Sequence, residues 1–501
     1  MAQSHNDSDL KRLVVVSNRL PVVLSPDDND GWNVQPGAGG LITALAPVLR
    51  NRGGMWIGWP GTQADGKVRE ALDNAADGTG YTLNAVDLPD SIIEGYYQGF
   101  ANEVIWPLFH DMLSRCNFQP HYWHDYLAAN RIFASTVAES TETQDYVWIH
   151  DYHLMNVAEQ LKSIGVRRRT GFFLHIPFPP LDIFLRLPWR FQILRALLEF
   201  DLVGFQTARD TRNFIHCVRN LTPEVEISRS RGSFSVSHGD HVTRAGTFPI
   251  GIDFASFDEQ ARSSEVVHEM ERSSHRLANI KIVLGIDRLD YTKGLPERIV
   301  AFQDALRRYP HLQGNITLIQ VVIPSRTDVP EYRAQREAIE QLVGNVNGEF
   351  TQPGWVPIHY LYRSLEPIEL LAYYRMSDIC LVTSLKDGMN LVSKEYCACN
   401  VDSDGVLILS EFAGSAAQLH RGAIMVNPND IEGMAEAINR AITMPETERR
   451  SRMRRMRQNV RRENIFWWTD SFLRAGASKR LDDFPVSEYF MPKEPARPSL
   501  I

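Results

Sequence analysis

Short runs of β-branched and apolar residues, each followed by a longer stretch of helical periodicity, recur from Leu13 almost to the end of the chain. That alternation admits few folds, because strand–helix repeats pack as a mostly parallel sheet with helices on its faces. Leu13-Val14-Val15-Val16 is continuously apolar, as a strand buried on both faces requires. Val147-Trp148-Ile149, Gly171-Phe172-Phe173-Leu174 and Leu202-Val203-Gly204-Phe205 repeat the pattern. The prolines of Ile176-Pro177-Phe178-Pro179-Pro180 halt the second of these. Gly39-Gly40 precedes a helical pattern with Ile42, Leu45 and Leu49 on one face, closed by Gly53-Gly54. Residues 222–245 are rich in Arg, Ser and charge, and predict a solvent-exposed hairpin or loop. After Phe248-Pro249-Ile250-Gly251-Ile252-Asp253 the alternation restarts. Strands are expected at 280–284, 316–322, 378–383, 406–409 and 423–426, with a helix from Pro296, where proline suits a first helical position. A chain of 501 residues exceeds one hydrophobic core, and the restart puts a domain boundary near 253.

The formal net charge of −8 argues against a nucleic-acid or membrane-surface protein. The arginine-rich stretch from Arg449 to Arg462 reads instead as the solvated face of a helix that turns Met453, Met456 and Val460 inward. Five cysteines are scattered, and Cys397 and Cys399 stand too close for a usual structural zinc pair. No metal site and no cofactor are expected. The first ten residues are polar and no run is long enough to span a bilayer, so a cytoplasmic protein is expected. Phe466-Trp467-Trp468 calls for burial against the first domain, and residues 478–501 read as a loose tail.

Two segments carry most of the chemistry. Arg288 and Lys293 follow the apolar run at 282–284, with Gly294 and a helix start behind them. A strand-to-helix turn is where ligands bind in a doubly wound sheet, and helix-start amides favour an anion. Two added cations suit a diphosphate and the charge that develops as it departs. Alone, the cluster serves equally as a surface network in which Asp287 and Asp290 pair with the cations. The second segment places Asp387 and Glu395 eight residues apart around Gly388-Met389-Asn390-Leu391-Val392, suited to sugar hydroxyls. As alternatives, Glu395 serves the dipole of its helix and Asp387 starts a turn. Ser17-Asn18-Arg19 follows the first strand, and an arginine there suits a phosphate dianion, or else an acidic neighbour. Trp59, Tyr97 and Trp106 are core aromatics or a ring-lined sugar wall. In His150-Asp151-Tyr152-His153, Asp151 reads as a sugar-facing acid and His153 as structural. His175 ends a strand where the crevice of such a fold lies.

Together these residues resemble glycosyltransferase family 20, the retaining glucosyltransferases that make trehalose 6-phosphate. Ser17 to Pro21, Gly39-Gly40-Leu41, Gly58-Trp59, Trp106 to His110, His150 to His153, Phe172 to Pro179, Arg288 to Gly294 and Asp387 to Glu395 occur in family order between about Leu13 and about Leu473. The implied fold is α/β of the GT-B type, two Rossmann-like domains facing across a central cleft. Residues 1–12 would be a disordered tail, 13–253 the acceptor-binding domain and 254–462 the nucleotide-sugar domain. Residues 463–501 would cross back to the first domain and end in a loose tail.

The resemblance also implies the site. The donor would be a nucleotide diphosphoglucose (UDP-, GDP- or ADP-glucose) and the acceptor glucose 6-phosphate. Gly40 would lie over the donor phosphates, and Arg288 and Lys293 would bind the diphosphate. Asp387, with Gly388, Met389, Asn390, Leu391 and Val392, would hold the donor glucose, and Glu395 the ribose. Arg19 and Arg326 would clamp the acceptor phosphate, beside Trp59, Tyr97 and Trp106. Asp151 and His175 would contact the sugars. No nucleophile stands out, in keeping with a front-face mechanism in which the leaving diphosphate takes the acceptor's proton. A homo-oligomer, dimer or tetramer, is expected. The family usually has Pro and Arg where this chain has Ser384 and Lys386, with modest effects expected. Rival readings are a glucosylglycerol-phosphate synthase using glycerol 3-phosphate and a catalytically silent sugar-phosphate sensor. A nicotinamide-dependent oxidoreductase is excluded, because Gly37-Ala38-Gly39-Gly40 lacks the third glycine and the placement after a strand.

Overall fold

The computed structural model describes residues 12–27, 31–37, 40–274, 280–325, 330–478, 480–486 and 488–492. The chain falls into two compact units, Met1–Asp253 with Ile465–Ser487, and Phe254–Asn464 with Glu488–Ile501.

The first unit is built on β1 (Leu13–Arg19), the hairpin β2 (Val22–Pro26) and β3 (Trp32–Pro36), then β4 (Met55–Trp59), β5 (Thr82–Ala85), β6 (Tyr146–His150), β7 (Arg169–Leu174), β8 (Leu202–Phe205), β9 (Glu226–Ser230), β10 (Ser233–His238) and β11 (His241–Thr247). Nine of these form one sheet in the order β5-β4-β1-β6-β7-β8-β11-β10-β9. It is parallel from β5 to β11. The stretch at 222–245, expected as a solvent-exposed hairpin or loop, forms hairpins that extend this sheet. β9, β10 and β11 form an antiparallel meander, and β11 joins β8 with Ala245 opposite Val203. Apolar positions at alternate places supply the inner face: Phe234, Val236 and Ala245 are buried, Ser228, Arg229 and Arg231 are exposed, and Arg244 is buried as well, donating to the Ala475 carbonyl at 2.7 Å. Two glycines make room for the terminal helix Ile465–Ala477. A Cβ on Gly171 or Gly204 would stand 2.7 or 2.6 Å from the Phe472 ring, which stacks 4.4 Å from Trp148. Trp468 of the same helix packs 4.7 Å from Trp148 and donates its indole N–H to the Phe248 carbonyl at 3.1 Å.

The second unit has six parallel strands, β12 (Lys281–Arg288), β13 (Ile316–Ile323), β14 (Ile358–Tyr362), β15 (Ile379–Val382), β16 (Val406–Ser410) and β17 (Ile424–Val426). Their order is β14-β13-β12-β15-β16-β17, reversing direction between β12 and β15 as a doubly wound sheet does. β12 runs further than its apolar core suggests, so Arg288 is its last residue and not part of the turn. Within β12, Gly285 leaves space for a buried arginine: a Cβ there would lie 2.5 Å from Arg298 Nη1 and from Gln320 Oε1. Arg298 is ion-paired with Asp287 at 2.6 Å and also donates to Thr383 and Gln320. The arginine-rich helix Glu446–Arg462 buries Met453, Met456 and Val460, and with them Arg457. Arg457 is not solvated; it binds the Cys397 carbonyl at 2.8 Å and pairs with Asp258.

Candidate active site

In the second unit the two motifs meet at their turns. After β12, Asp290 accepts from the Thr292 N–H and hydroxyl, forming the single-turn helix Tyr291–Lys293. Gly294 then takes φ +63°, and a Cβ there would sit 2.4 Å from the Thr383 carbonyl oxygen. That approach lets the Leu385 N–H donate to the Thr292 carbonyl at 2.8 Å, joining one turn to the other. Lys293 Nζ reaches Asp387 Oδ2 at 2.6 Å, with both side chains largely buried. Asp287 and Asp290 are engaged with Arg298 and Thr292, so the first turn is not a surface network of local pairs.

Asp387 is the hub. Besides Lys293 it accepts from the Asn390 side chain at 3.1 Å, the Met389 N–H at 3.2 Å and the Ser384 hydroxyl at 3.3 Å. Burial alone would raise its carboxyl; the Lys293 ammonium and these donors outweigh it and hold the group at about 2. Lys293 is likewise desolvated, yet Asp387, Asp287 and Asp290 raise it above its ordinary value. Asn390 adopts φ 57°, a conformation asparagine tolerates, and its side-chain oxygen caps the helix Val392–Cys399 at the Ser393 N–H, 3.0 Å away. Leu391 precedes that helix and Val392 opens it. Glu395, in its first turn, accepts from the Tyr374 hydroxyl at 2.8 Å. Burial raises Glu395, and the Tyr374 hydrogen bond opposes that rise.

In the first unit, Ser17 and Asn18 are buried fixers that turn Arg19 outward. Ser17 accepts from the Trp56 indole and donates to the Arg19 carbonyl, each at 2.7 Å, and Asn18 accepts from Tyr96 at 2.8 Å. The Arg19 guanidinium lies 4.6 Å from the Trp59 ring centroid and forms no ion pair among the described residues. Gly61, at φ +95°, gives it room, since a Cβ there would be 2.2 Å from Arg19 Nη2. Trp59 is buried, and its indole N–H finds no acceptor among the described residues. From Trp59 an aromatic chain continues edge-on to Tyr97 at 6.4 Å, stacks on His153 at 5.8 Å, and passes through Tyr152 to Trp106. Tyr97 stands on a twelve-residue π-helix, Glu94–Ile105, a rare element found mostly at functional sites.

Asp151 follows β6 in a strained conformation, φ 74° and ψ 168°, where non-glycine residues are seldom held. Its carboxylate accepts the His175 N–H at 3.2 Å. His150 Nδ1 and His175 Nε2 are 3.0 Å apart. Burial, and then the neighbouring His175, push His150 well below the usual imidazole range, and burial lowers His175 to about 3.

The expected set is thus gathered in part. Lys293, Asp387, Met389 and Asn390 form one network, and Arg19, Trp59, Tyr97 and Trp106 form another. Arg288 is exposed at the end of β12 with no ion pair among the described residues. Gly40 opens the helix Gly40–Arg52. Arg326 lies outside the described residues. Ser384, Thr292, Tyr374 and Gly61 are additions that the motifs alone do not announce. Ser384 is more than a flanking residue, because its hydroxyl touches Asp387. Among the described residues no three His, Cys, Asp or Glu side chains gather as a metal site.

The family profile for glycosyltransferase family 20 matches residues 11–477. The chain belongs to glycosyltransferase family 20. It is 38% identical over 471 residues to an alpha,alpha-trehalose-phosphate synthase [UDP-forming] of Candida albicans, spanning 92% of this chain and 96% of that one. A trehalose-6-phosphate synthase of Mycolicibacterium vanbaalenii is 41% identical, spanning 93% and 96%. Among solved structures, an alpha,alpha-trehalose-phosphate synthase (UDP-forming) from Burkholderia xenovorans in complex with glucose-6-phosphate superposes with a TM-score of 0.84 at 34% identity, covering 93% of this chain and 100% of that one. An E. coli structure bound with UDP-2-fluoro glucose gives 0.84 at 36% identity, covering 93% and 99%. The family 20 chain is accordingly a glucosyltransferase of GT-B fold, its two units being the Rossmann-like halves of that class.

Proposed function

We propose that the protein transfers the glucosyl group of UDP-glucose to glucose 6-phosphate with retention of configuration, releasing UDP and forming α,α-trehalose 6-phosphate. The observation that carries this reading is Arg19. It is an outward-facing guanidinium on the face of a buried tryptophan, with no carboxylate partner among the described residues, and a sugar phosphate supplies the dianion it lacks. Arg326 joins it at the phosphate, and Trp59, Tyr97 and Trp106 line the acceptor sugar. Arg288 and Lys293 hold the donor diphosphate, with Gly40 over it. Asp387 stays ionised because Lys293, the Asn390 side chain and the Met389 N–H stabilise its charge, so it can only accept, as sugar hydroxyls require. The backbone from Gly388 to Val392 borders that glucose, and Glu395 binds the ribose. Asp151 and His175 face the reacting sugars.

No side chain serves as nucleophile. The glycosidic bond to the diphosphate breaks as the acceptor oxygen bonds the same face, and the acceptor's proton passes to the departing diphosphate oxygen. Arg288 and Lys293 lower the barrier by stabilising that developing charge. Uridine as the base is supported by the UDP-forming relatives. The five free cysteines fit a reducing cytoplasm, and a homo-oligomer is proposed, to be checked by light scattering. The deciding experiment measures nucleoside diphosphate release from UDP-, GDP- and ADP-glucose with and without glucose 6-phosphate. Release that depends on glucose 6-phosphate, and is fastest with UDP-glucose, is expected. No release, or release only with glycerol 3-phosphate, would overturn the reading.

A further inference from the structure

We infer that His150 is a positioning residue: it donates its Nδ1–H to His175 and so holds His175 as the Nδ1–H tautomer, a hydrogen-bond donor and not a base. The inference rests on the proposed placement of His175 at the reacting sugars, and it specifies what His175 offers them.

His150 closes β6, and His175 is the first residue beyond the neighbouring strand β7. The rings lie 28° from parallel, with His150 Nδ1 3.0 Å from His175 Nε2. Around them stand Trp148 at 4.6 Å from His150, Phe173 at 4.6 Å from His175, and Trp468 at 6.3 Å from both. In that apolar cage both rings are neutral, so each carries one proton. One short contact between two neutral imidazoles leaves two arrangements. In the first, His175 donates from Nε2; His150 must then carry its proton on Nε2. That nitrogen is buried and has no hydrogen-bond partner among the described residues. The arrangement therefore strands a buried N–H, and orphaned donors are the rarer and costlier kind of unsatisfied group. In the second, His150 donates from Nδ1 and only a lone pair is left bare. His175 Nε2 accepts, and its own proton sits on Nδ1.

The consequence is chemical. With Nδ1 protonated and Nε2 already occupied, His175 has no nitrogen available to take a proton from the acceptor hydroxyl. It can only donate to an oxygen of the sugar, which leaves the departing diphosphate as the group that receives the proton. The backbone reinforces this, because the His175 N–H is tied to the Asp151 carboxylate, fixing where the ring begins.

The test is magic-angle-spinning 15N NMR of histidine-labelled protein, with the His175 signals assigned by comparison with His175→Asn. A pyrrole-type Nδ1 and a pyridine-type Nε2 are expected in the unsubstituted enzyme. The reverse pattern, or averaged shifts, would overturn the proposal. Kinetics give a second readout. His150→Leu should lower kcat/KM for UDP-glucose about tenfold, the worth of one lost hydrogen bond, with the glucose 6-phosphate KM unchanged. His150→Asn returns an N–H to the Nδ1 position and should restore most of that loss. Equal losses in the two variants would reduce His150 to packing and refute the assignment. His175→Ala with unchanged kinetics would instead remove His175 from the active site, while the nitrogen shifts would still decide the tautomer.

Discussion

Two cations from one motif behave differently once their surroundings are known. Arg288 is exposed and unpaired among the described residues, so Arg288→Ala should abolish glucosyl transfer and leave the melting temperature within a degree or so. Lys293 is the buried partner of Asp387, and removing it strands a carboxylate that the fold desolvates. Lys293→Ala should therefore lose both activity and roughly 3–5 kcal/mol of stability, the cost of leaving one member of a buried pair unpaired. Lys293→Met combined with Asp387→Asn should recover much of the melting temperature and none of the activity. Calorimetry on the three variants checks this, and a Lys293→Ala protein that melts like its parent would contradict the buried pair. Arg19→Ala acts on the other substrate. It should raise the glucose 6-phosphate KM about a hundredfold, from the loss of a charge-assisted contact, with the UDP-glucose KM nearly constant. An unchanged acceptor KM in steady-state assays would count against the phosphate contact.

At the level of elements, the turn after β12 depends on Gly294 for reasons of both backbone and space. Its φ of +63° disfavours any side chain, and a Cβ would meet the Thr383 carbonyl at 2.4 Å. Gly294→Ala should cost at least about 1–2 kcal/mol and pull Lys293 away from Asp387, lowering the melting temperature by several degrees. An unchanged melt would refute that packing. The same turn shows what a sequence can and cannot tell. The strand Leu13–Arg19 is legible because burial on both faces makes its first four positions, Leu13 to Val16, continuously apolar. β4 and β5 are not, since glycines precede each and both are short; nor is β14, whose Ile-His-Tyr-Leu-Tyr pattern is that of a half-exposed edge strand. At the site, Lys293 and Asp387 are legible because each sits in a strand-to-helix turn. Their partners are not. Tyr374 reaches Glu395 from a separate helix, and Gly61 matters only because Arg19 passes over it. Contacts made by the fold leave no local signature.

Across the whole molecule, each unit holds a nitrogen base whose protonation burial disfavours, and the two respond to pH in separate windows. The His150–His175 pair lies below its ordinary value of 6.5, so the unfolded chain binds protons there that the folded chain refuses, and stability falls as pH drops below that value. Lys394 is the counterpart in the other unit. It is 1% exposed on the helix Val392–Cys399, donating to Gln418, whose amide donates in turn to Glu463 at 2.7 Å. Burial lowers it from 10.5 to about 7, against the opposing pull of Glu463. Between those two values the unfolded chain holds a proton on Lys394 that the folded chain lacks, so stability rises with pH across that window. Glu463 stands one residue before the chain leaves this unit, so the network ties the helix bearing Glu395 to the point of crossing. The urea midpoint of the second unit should thus climb from neutral to alkaline pH. In Lys394→Met, similar in length and without charge, the climb should flatten, with stability gained chiefly near neutrality, where the parent bears part of the cost of a buried ammonium. Midpoints followed by fluorescence at several pH values would decide it, and a slope preserved in the methionine variant would assign the effect to other groups.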